Sequence, residues 1–280
     1  MSMEEKIKKA DDYMQRAQKE EKKVGGYYKA LRYYTEAKNL YEEAAQSGRT
    51  VEVLQRLQEV YRAVSWLAQE ADQAGLAKLW GERYLAVSKE LYELVPSPEM
   101  KHAMAYAWQN MGDIASMKKD PKETERIYLI CIDLYRELTK ETDSMEPYRD
   151  LATVSGMLGH LVRCRRDYEL SRALIQESLE AWKYAALTTG MPYDLEKLAS
   201  YSYNAAIAAD ERSEMDMAKQ LYDQSAGVYQ ILYKHVQLAQ FRQDAQEAYF
   251  EAAKIAAAQG AEEEAASYRE KAGAVESCAM

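Results

Sequence analysis

His160 and Cys164 stand four residues apart, a spacing that sets an imidazole and a thiol on one face of a helix and makes half of a metal site. A complete site needs two more ligands, and the other histidines, His102 and His235, lie far away in the chain. Arg163, Arg165 and Arg166 crowd the same turns and oppose a bound cation. His160 is therefore expected to hydrogen-bond at a solvent or groove face, and neither a metal nor a cofactor is expected. Cys131, at the centre of YLICIDLYREL, is flanked by Ile130 and Ile132, with no adjacent Lys, Arg or His to favour a thiolate. It reads as a small packing residue.

Acid pairs such as Asp11-Asp12 and Glu42-Glu43, and the run Glu262-Glu263-Glu264, read as solvated faces and helix-start charges. Nothing distinguishes a catalytic pair among the 46 acidic residues. The chain has no phosphate-binding loop, dinucleotide fingerprint, GxSxG or HExxH, so a non-catalytic protein is expected.

The elements that must position these residues are helices. Ala, Glu, Lys, Gln, Leu, Arg and Met dominate, Pro and Gly are scarce, and 23 Tyr stand against two Phe, so tyrosine is the large core residue. A net charge of −9 argues against affinity built on neutralising nucleic-acid phosphates. Three cysteines, Cys131, Cys164 and Cys278, with no CxxC pair imply neither a disulfide framework nor a zinc knuckle, and a reducing cytoplasm is expected. The charged start MSMEEKIKKADDY lacks a signal-peptide apolar core, and no apolar run approaches membrane-spanning length, so no membrane partner is expected.

The stretch DLYREL at 133–138 recurs as NLYEEA at 39–44 and ELYELV at 90–95, and more weakly as EAWKYA at 180–185 and GVYQIL at 227–232. Its aromatic falls at Tyr41, Tyr92, Tyr135, Trp182 and Tyr229, at intervals of 51, 43, 47 and 47 residues, a period suited to paired helices. Small residues keep the same register. Ala37, Ser88, Cys131, Ser178, Ser225 and Ala272 form one column, and Ala30, Gly81, Thr124, Ser171, Ala218 and Ala265 a second. Gly112, Gly159, Ala206 and Ala253 form a third, which Gln18 and Gln69 extend, or in the second repeat Ala68 by a shift of one residue. Small residues recur where helix backbones approach within about 8–10 Å.

Turn signals divide the chain into helix pairs at 3–22 with 26–47, 50–73 with 76–95, 98–118 with 121–142, 146–165 with 167–188, 192–212 with 214–237, and 240–259 with 261–276. Ser97-Pro98 and Asp120-Pro121 are helix starts, the second with Glu123 as a capping partner, and Gly48, Gly190 and Gly260 are stops. The expected class is all-α, with about 12 helices in one repeat domain spanning residues 1–280.

MGDIASMKKDPKETERIYLIC, LGHLVRCRRDYELSRALIQES, QGAEEEAASYREKA and GGYYKALRYYTEA resemble the tetratricopeptide (TPR) repeat. The usual unit has 34 residues, whereas these have 43 to 51, similar to the long arrays of bacterial signalling proteins. The resemblance implies an α-α superhelix whose first helices line a concave groove. It puts Tyr106, Gln109, Asp113 and Ser116, then Thr153, His160 and Arg163, then Ser200, Tyr203, Ile207 and Asp210, and finally Phe250 and Lys254 on that face, with Trp66 and Glu70 extending it. Asn110 and Asn204 lie beside it and would clamp a peptide backbone or bond locally. Tyr106, Tyr203 and Phe250 are either anchors for a bound peptide or helix, or packing between hairpins.

The implied function is a scaffold or adaptor for a protein or peptide, with a terminal hairpin as a candidate surface for self-association. Two alternatives are a peptide-sensing regulatory receptor and a vesicle-fusion-type adaptor of helical hairpins.

Overall fold

The computed structural model describes residues 1–277, so Cys278 lies outside the described residues. Among them there are twelve α-helices and no strand. They are α1 (Met3–Glu21), α2 (Tyr27–Ser47), α3 (Val51–Glu70), α4 (Ala74–Leu94), α5 (Pro98–Met117), α6 (Pro121–Glu141), α7 (Glu146–Cys164), α8 (Tyr168–Thr189), α9 (Pro192–Glu211), α10 (Met215–Val236), α11 (Ala239–Ala258) and α12 (Glu262–Ser277). Every end lies within three residues of the boundary expected from the sequence.

The caps follow from local chemistry. Ser97 Oγ accepts from Met100 N at 3.3 Å with Pro98 at the first helical position, and Asp120 Oδ1 accepts from Glu123 N at 3.1 Å ahead of α6. The Glu123 carboxylate does not return to that cap as expected. It pairs instead with Arg126 at 2.7 and 2.8 Å, because a bidentate guanidinium one turn away outcompetes a single backbone N–H.

The turn inside each pair contains one residue in the left-handed region: Gly25, Asp72, Lys119, Arg166, Ser213 and Gly260, each 47 residues after the last. This spacing makes the repeat exact and corrects the reading of the second hairpin. There Tyr84, not Ser88, aligns with Cys131 and Ser178, while Ser88 takes the place that Tyr41, Tyr135 and Trp182 hold elsewhere. Likewise Ala77 replaces Gly81 and Ser65 replaces Gln69 in their columns, and both are fully buried. In this hairpin the sequence pattern is offset by four residues from the structural register. One helical turn keeps the same face, so the offset leaves the amphipathic pattern undisturbed.

The helices form two compact units, Met1–Asp143 and Ser144–Met280, each built from three successive hairpins. In both, helices pair within a hairpin, and the second helix then packs on the first helix of the next. The first unit closes around Tyr34, Tyr41, Leu54, Leu57, Tyr84 and Leu91. In the second, Tyr222, Tyr229, Phe241 and Tyr249 pack among small residues such as Ala206 and Ala252, and Trp182 fills a separate fully buried site. Alanine columns let helices approach while tyrosines fill the space between.

Candidate partner-binding faces

In the first unit, α3 and α5 carry the candidate residues. Trp66, Glu70 and Tyr106 are exposed. Their neighbours on α5 are committed to the hairpin. Gln109 Oε1 accepts from the Tyr135 hydroxyl at 2.9 Å, and Asp113 Oδ1 accepts from the Tyr128 hydroxyl at 2.7 Å. Burial pushes the Asp113 carboxyl up to about 6, and the Tyr128 hydrogen bond opposes that rise. Asn110, expected beside the groove, is buried and accepts from Ser65 Oγ at 2.9 Å. α4 approaches closely here: a Cβ on Gly81 would lie 2.7 Å from Ile114 Cδ1, 2.9 Å from Met111 Sδ and 3.0 Å from Asn110 Oδ1, so the amide shares with these two side chains the space the glycine leaves.

In the second unit, the candidates on α7 divide between exposed and internally bonded. Thr153 Oγ1 donates to the Arg149 carbonyl one turn back at 2.8 Å. His160 is exposed, its Nδ1 2.9 Å from Arg163 Nη2 and its Nε2 3.9 Å from Cys164 Sγ. Arg163 also reaches Glu211 on α9 at 3.5 Å. His160 thus accepts from an arginine at Nδ1, and among the described residues no group of three His, Cys, Asp or Glu is placed to hold a metal.

On α9, Ser200 and Ile207 are half-buried, with Ile207 against the unit's core, while Asn204 and Asp210 are exposed. Tyr203 lies edge-on to Tyr222 with ring centroids 5.1 Å apart, and its hydroxyl donates to Glu247 on α11 at 3.0 Å. Burial, followed by the negative charges of Glu251, Asp210 and Glu247, pushes the Tyr222 hydroxyl up to about 12, so this side of the unit is acidic.

Phe250 projects from α11 with 47% of its surface exposed. It lines an open depression of about 520 Å³ together with Glu247, Glu251, Lys254 and Arg269, the last from α12. Lys254 pairs with Glu251 at 2.6 Å. The arrangement presents an aromatic surface within a rim of both charges, which suits the side chain of a partner better than bond-making chemistry.

The exact repeat explains which residues share these faces. Trp66, Asp113, His160, Ile207 and Lys254 are equivalent positions, as are Gln109, Tyr203 and Phe250. Glu247 is equivalent to Tyr106, Thr153 and Ser200, so the register could have placed it in the candidate set. Arg269 comes from a second helix, and reading the first helices alone misses it.

No protein-family model and no curated protein matches the sequence. Solved structures do. BtubC (BKLC) from P. vanneervenii is similar with a TM-score of 0.63 at 14% identity, over 90% of this chain and 91% of that one. A kinesin-light-chain-type protein from Podosopora anserina with nearly identical TPR-like repeats matches with a TM-score of 0.53 at 13% identity, over 81% of this chain and 97% of that one. At these identities the similarity is one of fold. The chain is a TPR-like helical-repeat protein of the α-α superhelix class.

Proposed function

We propose that the protein is a non-catalytic adaptor that captures a peptide or helical segment of a protein partner on the faces of its first helices. The observation that carries this reading is Phe250, an exposed aromatic in an open depression with a charged rim, held on a helix rather than a loop. Trp66 and Tyr106 offer aromatic surface on the corresponding helices of the first unit. Gln109, Asn110 and Asp113 act beneath that face, fixing α5 in place. Tyr203 supports the Phe250 region through Glu247. A cytoplasmic location and a single repeat domain belong to the same reading.

The test is affinity capture from native lysate, followed by titration of the captured protein against wild type, Phe250→Ala and Trp66→Ala. Truncating a central aromatic anchor is expected to weaken binding by about thirtyfold or more. Both side chains are exposed, so helical content and melting should hold. Unchanged affinity in both variants would remove these faces from the proposal.

A further inference from the structure

The ends of the hairpins in the second unit carry an apolar edge that the adaptor reading does not use. α8 stops at Gly190 and α10 at Gln237, both left-handed caps, and α9 and α11 start immediately afterwards. Around these two junctions Tyr184 and Ile231 occupy equivalent positions, as do Met191 and Leu238, and all four are exposed. Leu187 stands 77% exposed between them, and Tyr193 shows half its surface. Because α9 runs antiparallel to α8 and α10, its first turn lies at the same end as their last turns. A soluble surface seldom leaves so many large apolar side chains together without use.

The edge is built firmly. Tyr193 packs edge-on against the fully buried Trp182 at 6.1 Å, so one side of its ring is fixed while the other faces outward. The neighbouring Asp194, fully buried, is held by Arg149 through two bonds of 2.8 Å and by the Thr189 hydroxyl at 2.6 Å.

The charges around it select the occupant. Lys183, Lys197 and Lys234 lie among these residues, and none makes an ion pair among the described residues. Lys197 instead sits 5.4 Å from the Tyr193 ring centre. Of the carboxylates nearby in sequence, Glu196 is exposed, and Glu180 accepts from the Gln176 amide at 3.0 Å. Lysine is depleted at protein interfaces, whereas tyrosines, aliphatic side chains and unpaired lysines with long apolar stems suit the headgroup layer of a bilayer.

We propose that this edge seats on an anionic lipid surface, with Leu187, Met191 and Leu238 entering the headgroup layer and the three lysines contacting lipid phosphates. No helix among the described residues is long and apolar enough to cross a membrane, so the contact is peripheral. It would tether the adaptor while leaving the Phe250 depression, lined from α11 and α12, to a protein partner.

Co-sedimentation of the full chain with vesicles tests this, using phosphatidylcholine alone and phosphatidylcholine mixed with phosphatidylglycerol, each at low and high salt. Wild type is expected to sediment with the anionic vesicles and to be released by salt. Leu187→Ser with Leu238→Ser should reduce binding by at least about tenfold. Replacing Lys183, Lys197 and Lys234 by Gln should cost about fivefold per lysine and flatten the salt dependence. Wild type remaining in the supernatant with anionic vesicles at low salt overturns the proposal, and that result does not depend on a variant folding. Vesicle binding unaltered by both sets of changes also overturns it. So does self-association in sedimentation velocity that Leu187→Ser and Leu238→Ser abolish without any vesicle binding, which would make the edge an interface between copies.

Discussion

Ser178 Oγ donates to the Ala152 carbonyl at 2.6 Å, tying the second helix of the fourth hairpin to the backbone of the first. Ser225 and Ala199 form the same bond in the fifth hairpin at 2.8 Å, and in the third Cys131 Sγ takes this place 3.9 Å from the Ala105 carbonyl. In these three hairpins the column therefore holds a small side chain with a donor aimed across the helix crossing.

Cys131→Ser should thus be tolerated, changing stability by within about 1 kcal/mol, while Cys131→Leu should cost about 1–3 kcal/mol in urea unfolding. Burial, and then the charge of Asp113, pushes the Cys131 thiol up, so it should resist alkylation in the native protein while exposed Cys164 reacts. Peptide mapping after iodoacetamide treatment reads both sites. Equal labelling of the two under native conditions would revive a reactive role for Cys131.

Asp113 should give the protein a measurable pH signature. Its carboxyl titrates near 6 in the fold against an ordinary 3.8, so the folded state holds the proton more tightly. Its contribution to stability is fully present below about pH 4 and is lost as pH rises through about 6. Asp113→Asn keeps an acceptor for Tyr128 and removes the charge. The variant should gain on wild type by on the order of 1–3 kcal/mol between pH 4 and 7. A difference between the two proteins that stays constant over this range would show that Asp113 is not held as described.

Asp194 should behave in the opposite sense. Burial opposes its charge, but hydrogen bonds from Arg149 and Thr189 outweigh that penalty and hold the carboxyl below its ordinary range. Its stabilisation is present above the unfolded pKa and is lost as pH falls through the folded one. Asp194→Ala leaves Arg149 without its partner and should cost about 2–4 kcal/mol at pH 7, less than a fully buried pair because Arg149 is partly exposed. Thr189→Val removes one bond and should cost about 1 kcal/mol. Urea melts at neutral and acidic pH check both the size and the sign.

The helices were legible because caps, Pro and Gly punctuate a strong amphipathic pattern, as at Ser97-Pro98 and Gly190. The second hairpin was misaligned because its side-chain sizes are exchanged: Tyr84 fills the small column and Ser88 the aromatic one, where it receives Gln58 Nε2 at 2.9 Å. Periodicity cannot detect a shift of one turn, whereas the left-handed Asp72 fixes it. At the candidate faces the sequence pattern does not give the direction of each side chain. Asn110 and Tyr106 are one turn apart, yet Asn110 is buried by its bond to Ser65 while Tyr106 is exposed. That difference depends on the neighbouring helix rather than on local pattern.

Gly112 shows how such neighbours set the tolerance of a position. A Cβ there would lie 2.4 Å from the Tyr128 ring, so Gly112→Ala should cost about 1–3 kcal/mol despite alanine's better helix propensity. Gly227→Ala, in the interior of α10 with nothing within 4 Å, should instead stabilise by about 0.5–1 kcal/mol. The equivalent of Gly112 in the fifth hairpin is already Ala206, set against Tyr222. What differs is the anchor: Asp113 tethers the Tyr128 hydroxyl, whereas Ile207 at the corresponding place has no acceptor to hold Tyr222. Releasing the ring should therefore relieve the clash. Gly112→Ala is expected to cost about 1 kcal/mol less in an Asp113→Ile background than in wild type. A double-mutant cycle by urea unfolding measures this coupling, and strict additivity would mean that the Asp113 tether does not set the space available at Gly112.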